Sequence, residues 1–383
     1  MNVLFISNDP SIFDEASVAR ARMREYASAL GMLHVLSNAP LGARDVTEGG
    51  LHLHPIKVSK LFRVRVLAKR AHSLILREKI EVVSAQDPFE HGLAALRAVK
   101  GTPAKLHVQV HTDFLSPWFV RVGNWRSPRV HMPILNKLRL RIADKVLPEA
   151  DGVRVVSKRI KDSLMTKYGT NIREPSVISI AVPQEVPEAV RLPSHHFTFS
   201  LIAVGRLEAE KRIEDILVAL AFVVPKYPSI GLFVVGEGRQ RTRLERMTKK
   251  LGLGEHVQFL GNRPDAWGLM QSAHAFIQAS AYEGYGRTLV EAALAKVPII
   301  TTDVGIVGEV FKGYEDVLAA PVADPTELSL HIVTLVENTN ARIELPQHAE
   351  AAARAHLAEV GDLPARIVGD LSVLQKSYTE NNL

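Results

Sequence analysis

Ala275-Phe-Ile-Gln-Ala-Ser-Ala-Tyr-Glu-Gly-Tyr-Gly-Arg-Thr-Leu-Val-Glu-Ala-Ala-Leu-Ala295 passes from an apolar run to a helical pattern through a turn with two glycines. Ala275–Ser280 reads as a strand and Leu289–Ala295 as a helix, so Glu283–Glu291 falls where a strand ends and a helix begins. Such a junction presents unsatisfied backbone N–H groups and the positive end of a helix dipole, both suited to an anion. Gly284 and Gly286 let a ligand approach the main chain closely. Glu283 in the loop and Glu291 in the first turns of the helix would repel a phosphate unless they point elsewhere. Sugar and ribose hydroxyls are their natural partners, and the segment reads as a cradle for a nucleotide sugar.

The same alternation runs along the whole chain. Strand candidates in the first half are Asn2–Ser7, His34–Ser37, His52–Lys57, Glu81–Ala85, Lys105–His111, Gly152–Ser157 and Ser176–Val182, with helical stretches such as Asp14–Leu30, Arg65–Lys79 and Met132–Val146 between them. Pro183–Ser194, with Pro183, Pro187 and Pro193, reads as a linker. Strands then resume at Phe199–Val204, Gly231–Val235, Val257–Leu260, Ala275–Ala279 and Pro298–Thr302, with helices at Ile213–Val224, Arg241–Leu251, Thr288–Lys296 and Thr326–Glu337. Two such series imply an α/β protein of two doubly wound, Rossmann-like domains. The expected division is residues 1–185, residues 186–361, and a helix in 362–383 that packs back on the first domain. Ligands of such sheets bind outside the carboxyl ends of the strands, so a cleft between the domains is the expected site.

A chain of 383 residues suits two domains, and 46% apolar with 23% charged residues is ordinary for a soluble protein. The chain has no cysteine, which excludes disulfides and thiolate metal sites and fits a reducing compartment. Val3–Ile6 is too short for a leader, and no apolar run approaches the ~20 residues of a membrane span, so the cytoplasm is the expected location. The charge is uneven: residues 1–200 carry 29 Lys+Arg against 18 Asp+Glu, whereas the remainder carries 18 against 23. A basic first half calls for an anionic partner.

Three further loops follow strands in the second half. In Gly205-Arg-Leu-Glu-Ala-Glu-Lys211, two cations flank the entry to a helix. Helix starts disfavour cations, so Arg206 and Lys211 need an anion there; Arg can clamp a diphosphate and Lys adds a compact charge. Gly236-Glu-Gly238 and Gly261-Asn-Arg263-Pro264 are turns that need no ligand by themselves, although the latter backbone can pair with a base edge. Glu283 and Glu291 alone would be helix-start carboxylates. With the glycines, the preceding strand and the upstream cations, they read as one site.

These stretches resemble the family 4 glycosyltransferases. The matching text is Val204-Gly-Arg-Leu207 with Lys211, Val234-Val-Gly-Glu-Gly238, Phe259-Leu-Gly261, Ser280-Ala-Tyr-Glu-Gly-Tyr-Gly286, Glu291-Ala-Ala-Leu-Ala295, Pro298-Ile-Ile300, Asp303-Val-Gly305 and Glu309. Val108-Gln-Val-His111 and Ala150-Asp-Gly-Val-Arg-Val-Val-Ser157 match more loosely in the first half. The resemblance implies the GT-B fold and a retaining, hexosyltransferase-type reaction through an oxocarbenium-like transition state. It implies that Arg206 and Lys211 stabilise the donor diphosphate and that Glu291 binds the donor ribose. Glu283, with the backbone near Tyr285 and Gly286, is implied to contact the donor sugar. The backbone N–H groups of Thr288 and Leu289 are implied to meet the diphosphate, and His111 to lie close to the donor sugar. Gly205 and Arg263 belong to the same donor set. The family needs no metal or other cofactor, and no Asp-x-Asp motif occurs.

Some features depart from the family pattern. Asn8–Ser17 has no glycine where the family often has a Gly-Gly loop, Ile180-Ala181 replaces an Asn-Gly turn, and Arg287 stands where an apolar residue is common. Arg287 reads as a further phosphate or acceptor contact. Two basic segments interleaved with apolar residues mark the first half: Lys57, Lys60, Arg63, Arg65, Lys69, Arg70, Arg77 and Lys79, then Arg121, Arg126, Arg129, Lys137, Arg139, Arg141 and Lys145 near Trp118 and Trp125. They read either as helices with solvated outer faces or as surfaces for anionic lipid. The expected partners are a nucleotide-sugar donor, a glycan or lipid-linked acceptor and an anionic membrane surface, in cell-envelope polysaccharide assembly. No nucleic-acid-binding motif is evident. The competing readings are a sugar-nucleotide epimerase or phosphorylase, and a non-catalytic nucleotide-sugar- or polyanion-binding protein.

Overall fold

The structure, a computed structural model, describes residues 1–40, 42–59, 62–120 and 134–380, with side chains to residue 375. The chain forms two compact units. The first comprises Met1–His111, Ile134–Ser179 and Asp362–Leu383; the second comprises Thr112–Pro133 and Ile180–Gly361.

In the first unit the strands are β1 (Asn2–Ser7), β2 (Met32–Asn38), β3 (Val46–Glu48), β4 (Leu51–Ile56), β5 (Val82–Ala85), β6 (Lys105–Val110), β7 (Gly152–Val155) and β8 (Ser176–Val177). They form a sheet in the order β3-β4-β2-β1-β5-β6-β7-β8, parallel throughout except for the β3–β4 pair. Its helices are α1 (Val18–Leu30), α2 (Arg63–Glu78), α3 (Glu90–Val99), α5 (Ile134–Val146), α6 (Lys158–Tyr168) and α13 (Leu363–Glu380). Val3, Leu4, Phe5 and Ile6 of β1 are buried on both faces, which is why this strand reads as a continuous apolar run. Ser17 and Ser157 cap α1 and α6, and glycines follow their last residues.

The second unit holds α4 (Pro117–Val120), β9 (Phe199–Val204), α7 (Ile213–Val223), β10 (Ile230–Val235), α8 (Arg241–Lys250), β11 (Val257–Gly261), α9 (Ala266–Met270), β12 (Ala275–Ile277), α10 (Arg287–Leu294), β13 (Ile299–Thr302), β14 (Leu318–Ala320), α11 (Pro325–Glu337) and α12 (Thr339–Val360). Its sheet is all parallel, in the order β11-β10-β9-β12-β13-β14. The core gathers Leu201, Leu217, Leu232, Val234, Ile277, Ile300 and Leu328 between sheet and helices. Among the described residues, no helix is long and apolar enough to cross a membrane.

The structure differs from the sequence reading in several places. Thr112–Val120 groups with the second unit, because the Phe119 ring packs edge-on against Tyr282 at 5.5 Å and Trp118 lies 5.4 Å from the Arg212 guanidinium. The boundary of the first unit falls at Ser179, ahead of residue 185. β8 is shorter than Ser176–Val182, since beyond it the carbonyls of Ile178 and Ser179 accept from the buried Arg154 side chain at 3.1 and 2.8 Å. The linker lies along the second unit, where Val190 N–H donates to Gly268 O at 3.0 Å and Gln271 Nε2 to Pro187 O at 2.7 Å. Trp118 packs on Arg212 within the second unit. Lys60, Arg121, Trp125, Arg126 and Arg129 lie outside the described residues.

The edge of the first sheet buries histidines. His34 on β2 stacks on His52 of β4 with ring centroids 4.6 Å apart, and His34 Nδ1 lies 3.0 Å from His54 Nε2. Burial, with His52 and His54 alongside, lowers the His34 pKa to about 4; burial also lowers that of His54, against the pull of Asp45. Arg70, Arg77 and Glu78 of α2 are the other charges acting on the pair. These rings are neutral when folded, so their stabilisation is complete above the unfolded pKa near 6.5. It is lost as pH falls toward the folded value. Thermal unfolding between pH 7 and pH 4 is expected to lose on the order of 3 kcal/mol through His34. His34→Phe, which keeps a stacked ring, is expected to flatten that slope; an unchanged slope would rule out this origin.

Candidate active site

The second sheet changes direction at β9. From β9 the chain adds β10 and β11 on one side and then returns to add β12, β13 and β14 on the other. The crevice outside the carboxyl ends of β9 and β12 is therefore a topological switch point, the place where open α/β sheets bind ligands. β9 and β12 pair directly, Leu201 with Ala275 and Ile202 with Phe276. Their following loops, far apart in sequence, become neighbours.

The loop after β9 carries Gly205, Arg206 and Lys211, and that after β12 carries Glu283. Lys211 Nζ donates to Glu283 Oε1, which also accepts from Ser280 Oγ at 2.7 Å. The Ala281 N–H donates to Glu210 O at 2.7 Å and closes the two loops together. Arg206 pairs with Glu210 at 3.0 Å but is largely exposed, so its guanidinium is weakly held. Beneath them, Arg212 makes a buried two-bond pair with Asp215 at 2.6 and 3.0 Å. Burial raises the Asp215 pKa against the opposing pull of Arg212.

Glycine decides how close these loops come. At Gly236, with φ +134°, an added Cβ would sit 1.9 Å from Gly205 O. Its N–H donates to Gly261 O at 2.7 Å, so the ends of β9, β10 and β11 are drawn into one layer. Gly286 is left-handed at φ +95° and turns the chain into α10. Leu289 N–H donates to Gly286 O at 2.9 Å, so this first-turn donor is engaged within the turn. By helix geometry, the N–H groups of Arg287 and Thr288 are the ones α10 leaves open. Thr288 Oγ1 donates to Gln278 Oε1 at 2.9 Å.

Glu291 is buried one turn into α10. Burial raises its pKa, and Arg287, donating from Nε to Oε1 at 2.7 Å, opposes this. An Arg at the first position of a helix, with its Glu four residues later, is the less favourable arrangement for both dipole and pair. The Tyr285 ring is buried with its hydroxyl 2.8 Å from His356 Nε2, so the main chain is what Tyr285 presents at the turn. Arg263 follows β11, two strands from β9, and pairs with Asp265 at 2.7 and 2.5 Å. The structure thus joins Lys211 to Glu283, leaves Arg206 paired with Glu210 on the same loop as Lys211, carries Arg287 and Glu291 on the helix that follows, and puts Arg263 at the far side of the sheet. Sequence reasoning missed Ser280, Arg212 and Asp215; only a charged pair at the entry to an apolar helix marks the last two.

His111 belongs to the first unit, directly after β6. Its Nε2 lies 2.9 Å from Gln109 Oε1. Burial, then Arg154 and Arg22, lower its pKa to about 3, so the ring is neutral across the physiological range.

Two family models match the chain: "Glycosyltransferase Family 4" over residues 23–185 and "Glycosyl transferases group 1" over residues 195–356. A glycogen synthase of Mycobacterium tuberculosis is 30% identical over 177 residues, 45% of this chain and 42% of that protein. The match therefore spans less than half of that relative's length. An alpha-monoglucosyldiacylglycerol synthase of Acholeplasma laidlawii is 24% identical over 80% of this chain and 79% of its own. Among solved structures, Anabaena HepE in complex with UDP and glucose superposes with a TM-score of 0.72 at 19% identity, covering 97% of this chain and 100% of that one. The two parallel sheets are those of the GT-B fold.

The Lys211–Glu283 pair is enclosed enough for loss of one partner to leave an uncompensated charge. Lys211→Met and Glu283→Gln are each expected to cost about 1–3 kcal/mol in urea unfolding, with the double variant less destabilised than the sum. Strictly additive losses would mean that the two side chains do not interact in solution.

Proposed function

Because the chain belongs to the glycosyl transferases group 1 family, with a first half of the family 4 type, we propose that it moves a hexose from a nucleoside-diphosphate sugar to a glycan or lipid-linked acceptor. The supporting observation is the Lys211–Glu283 pair that joins the loops after β9 and β12 at the switch point, with Arg206 on the first of these loops and α10 following the second. The UDP and glucose of the HepE structure support a donor of this class.

In this reading the diphosphate lies against the N–H groups of Arg287 and Thr288. Arg206 and Lys211 meet the negative charge that grows on it as the glycosidic bond breaks. Lys211 then exchanges part of its bond to Glu283 for a phosphate oxygen, and Glu283 turns to a sugar hydroxyl. Glu291 receives the ribose hydroxyls, with Arg287 holding its carboxylate against the effect of burial. Arg263 stands on the base side, and Gly205 and Gly286 let the ligand approach the main chain. Positive side chains and helix N–H groups supply the charge stabilisation, so the proposed reaction takes no metal and retains anomeric configuration.

The proposed setting is cell-envelope polysaccharide or glycolipid synthesis at the inner face of the cytoplasmic membrane. It is supported by the name of the Acholeplasma relative and by α5. Ile134, Leu135 and Leu138 are 86%, 52% and 52% exposed there, beside the exposed Lys137, Arg141 and Lys145. Apolar and cationic side chains on one outer face suit anionic lipid.

Calorimetry with UDP, GDP and ADP is expected to find binding to at least one of them, weakened about 10–100-fold by Glu291→Ala. Absence of binding to all three would refute the donor assignment. Co-sedimentation with vesicles containing anionic lipid is expected to fall at least about tenfold in an Ile134→Ser/Leu135→Ser/Leu138→Ser variant and in high salt. Wild-type binding by that variant would remove α5 from the membrane role.

A further inference from the structure

Tyr285 is only 3% exposed, although it stands in the turn between β12 and α10, just after Glu283. A phenol buried this deeply needs a hydrogen-bond partner. His356 of α12 supplies it: Nε2 lies 2.8 Å from the hydroxyl, and the two ring centroids are 5.8 Å apart. The bond joins residues 71 apart in sequence. Ala353, Leu357 and Val360 are buried on the same stripe of α12, and α12 packs along α10. His356 therefore stands on a helix whose own place is set by apolar packing.

The main chain of the turn is held by other means. Ser280 O accepts from Thr302 Oγ1 at 2.6 Å, and Tyr285 O accepts from the Ile306 N–H at 3.0 Å. A Cβ at Gly305, with φ +61°, would lie 2.4 Å from Tyr285 O and 3.1 Å from Glu283 Cβ, so the turn after β13 packs directly on the turn after β12. Glu283 Oε1 accepts from Lys211 Nζ and Ser280 Oγ. These bonds act up to the Tyr285 carbonyl. Beyond it the chain swivels through the left-handed Gly286 and enters α10 at Arg287. The Tyr285 side chain ties the chain down where that swivel begins.

We propose that His356 is a positioning residue for this turn. By holding the Tyr285 hydroxyl it fixes the direction in which the chain leaves Gly286, and with it the open N–H groups of Arg287 and Thr288 and the place of Glu291. α12 thus belongs to the machinery of the site without touching a ligand. That these groups meet a nucleoside diphosphate rests on the proposed function; that His356 fixes the turn does not.

The first test is hydrogen exchange read by mass spectrometry on the full chain without ligand. Tyr285→Phe removes one oxygen and keeps the ring, His356→Leu removes the partner, and His356→Gln keeps an amide able to bond the phenol. Exchange within residues 281–291 is expected to quicken about tenfold in Tyr285→Phe and His356→Leu and to stay near the wild-type rate in His356→Gln. Unchanged exchange in Tyr285→Phe overturns the proposal, and that variant decides the matter if His356→Leu does not fold. The second test is calorimetry with UDP, GDP and ADP. Whichever of them the wild type binds is expected to bind about tenfold more weakly to Tyr285→Phe and to His356→Leu, no more weakly still to the double variant, and normally to His356→Gln. Wild-type affinity in Tyr285→Phe, or losses that add in the double variant, overturns the positioning role. Absence of binding by the wild type counts against the proposed function instead, and the exchange rates then decide whether His356 fixes the turn.

Discussion

The direct pairing of β9 with β12 is the constraint on which the second unit's site depends. Between these strands the chain builds β10 and β11 on one side of β9 before it returns to the other. Parallel strands point their carboxyl ends the same way, so the loop that ends in Lys211 and the loop that holds Glu283 must emerge side by side. The small residues then set how far the loops close: with φ +134° and a neighbouring carbonyl in the way, only glycine fits at 236. A side chain there would push the β10 end away from Gly205 and from the loop that leads to Lys211.

A second regularity follows from gathering charge in such a place. Among the described residues, the cations assigned to the donor each have a nearby carboxylate: Arg206 with Glu210, Lys211 with Glu283, Arg263 with Asp265 and Arg287 with Glu291. In the proposed reaction a ligand phosphate enters by exchange of partners. The exposed Arg206 pair is weak and exchanges readily, whereas the enclosed Lys211 pair gives up only part of its bond. Arg287 is the informative case, because neither the helix dipole nor pair orientation favours it, yet it neutralises the buried Glu291.

In the first unit the comparable device is polar and internal. Arg154, Gln109, Ser84, His107 and Asp370 satisfy one another across β5, β6, β7 and α13, so a costly set of buried groups becomes a rigid one. The residue at its edge, His111, inherits that rigidity. The C-terminal helix is tied to the same network through Asp370, and Leu374 packs against Gly152, where a Cβ would lie 2.9 Å from it.

Much of this was legible in the sequence, because it is local. The alternation of short apolar runs with helical periods gave both sheets and nearly every strand, and the Gly-Arg…Lys and Glu…Glu spacings marked the loops that carry the candidate site. The short β3 and β14 were missed, since three residues carry no period. Arg154 in an otherwise apolar strand was the one local sign of the buried polar network. Partner choice was not legible: Lys211 and Glu283 lie 72 residues apart, and His107 and Asp370 lie 263 apart. Nor could Thr112–Val120 be assigned to the second unit, because the Phe119–Tyr282 and Trp118–Arg212 contacts are made by distant segments. By itself the sequence determined which residue types stand at each strand end. Strand order and register, set by packing over the whole sheet, decided which of them meet and in what protonation state.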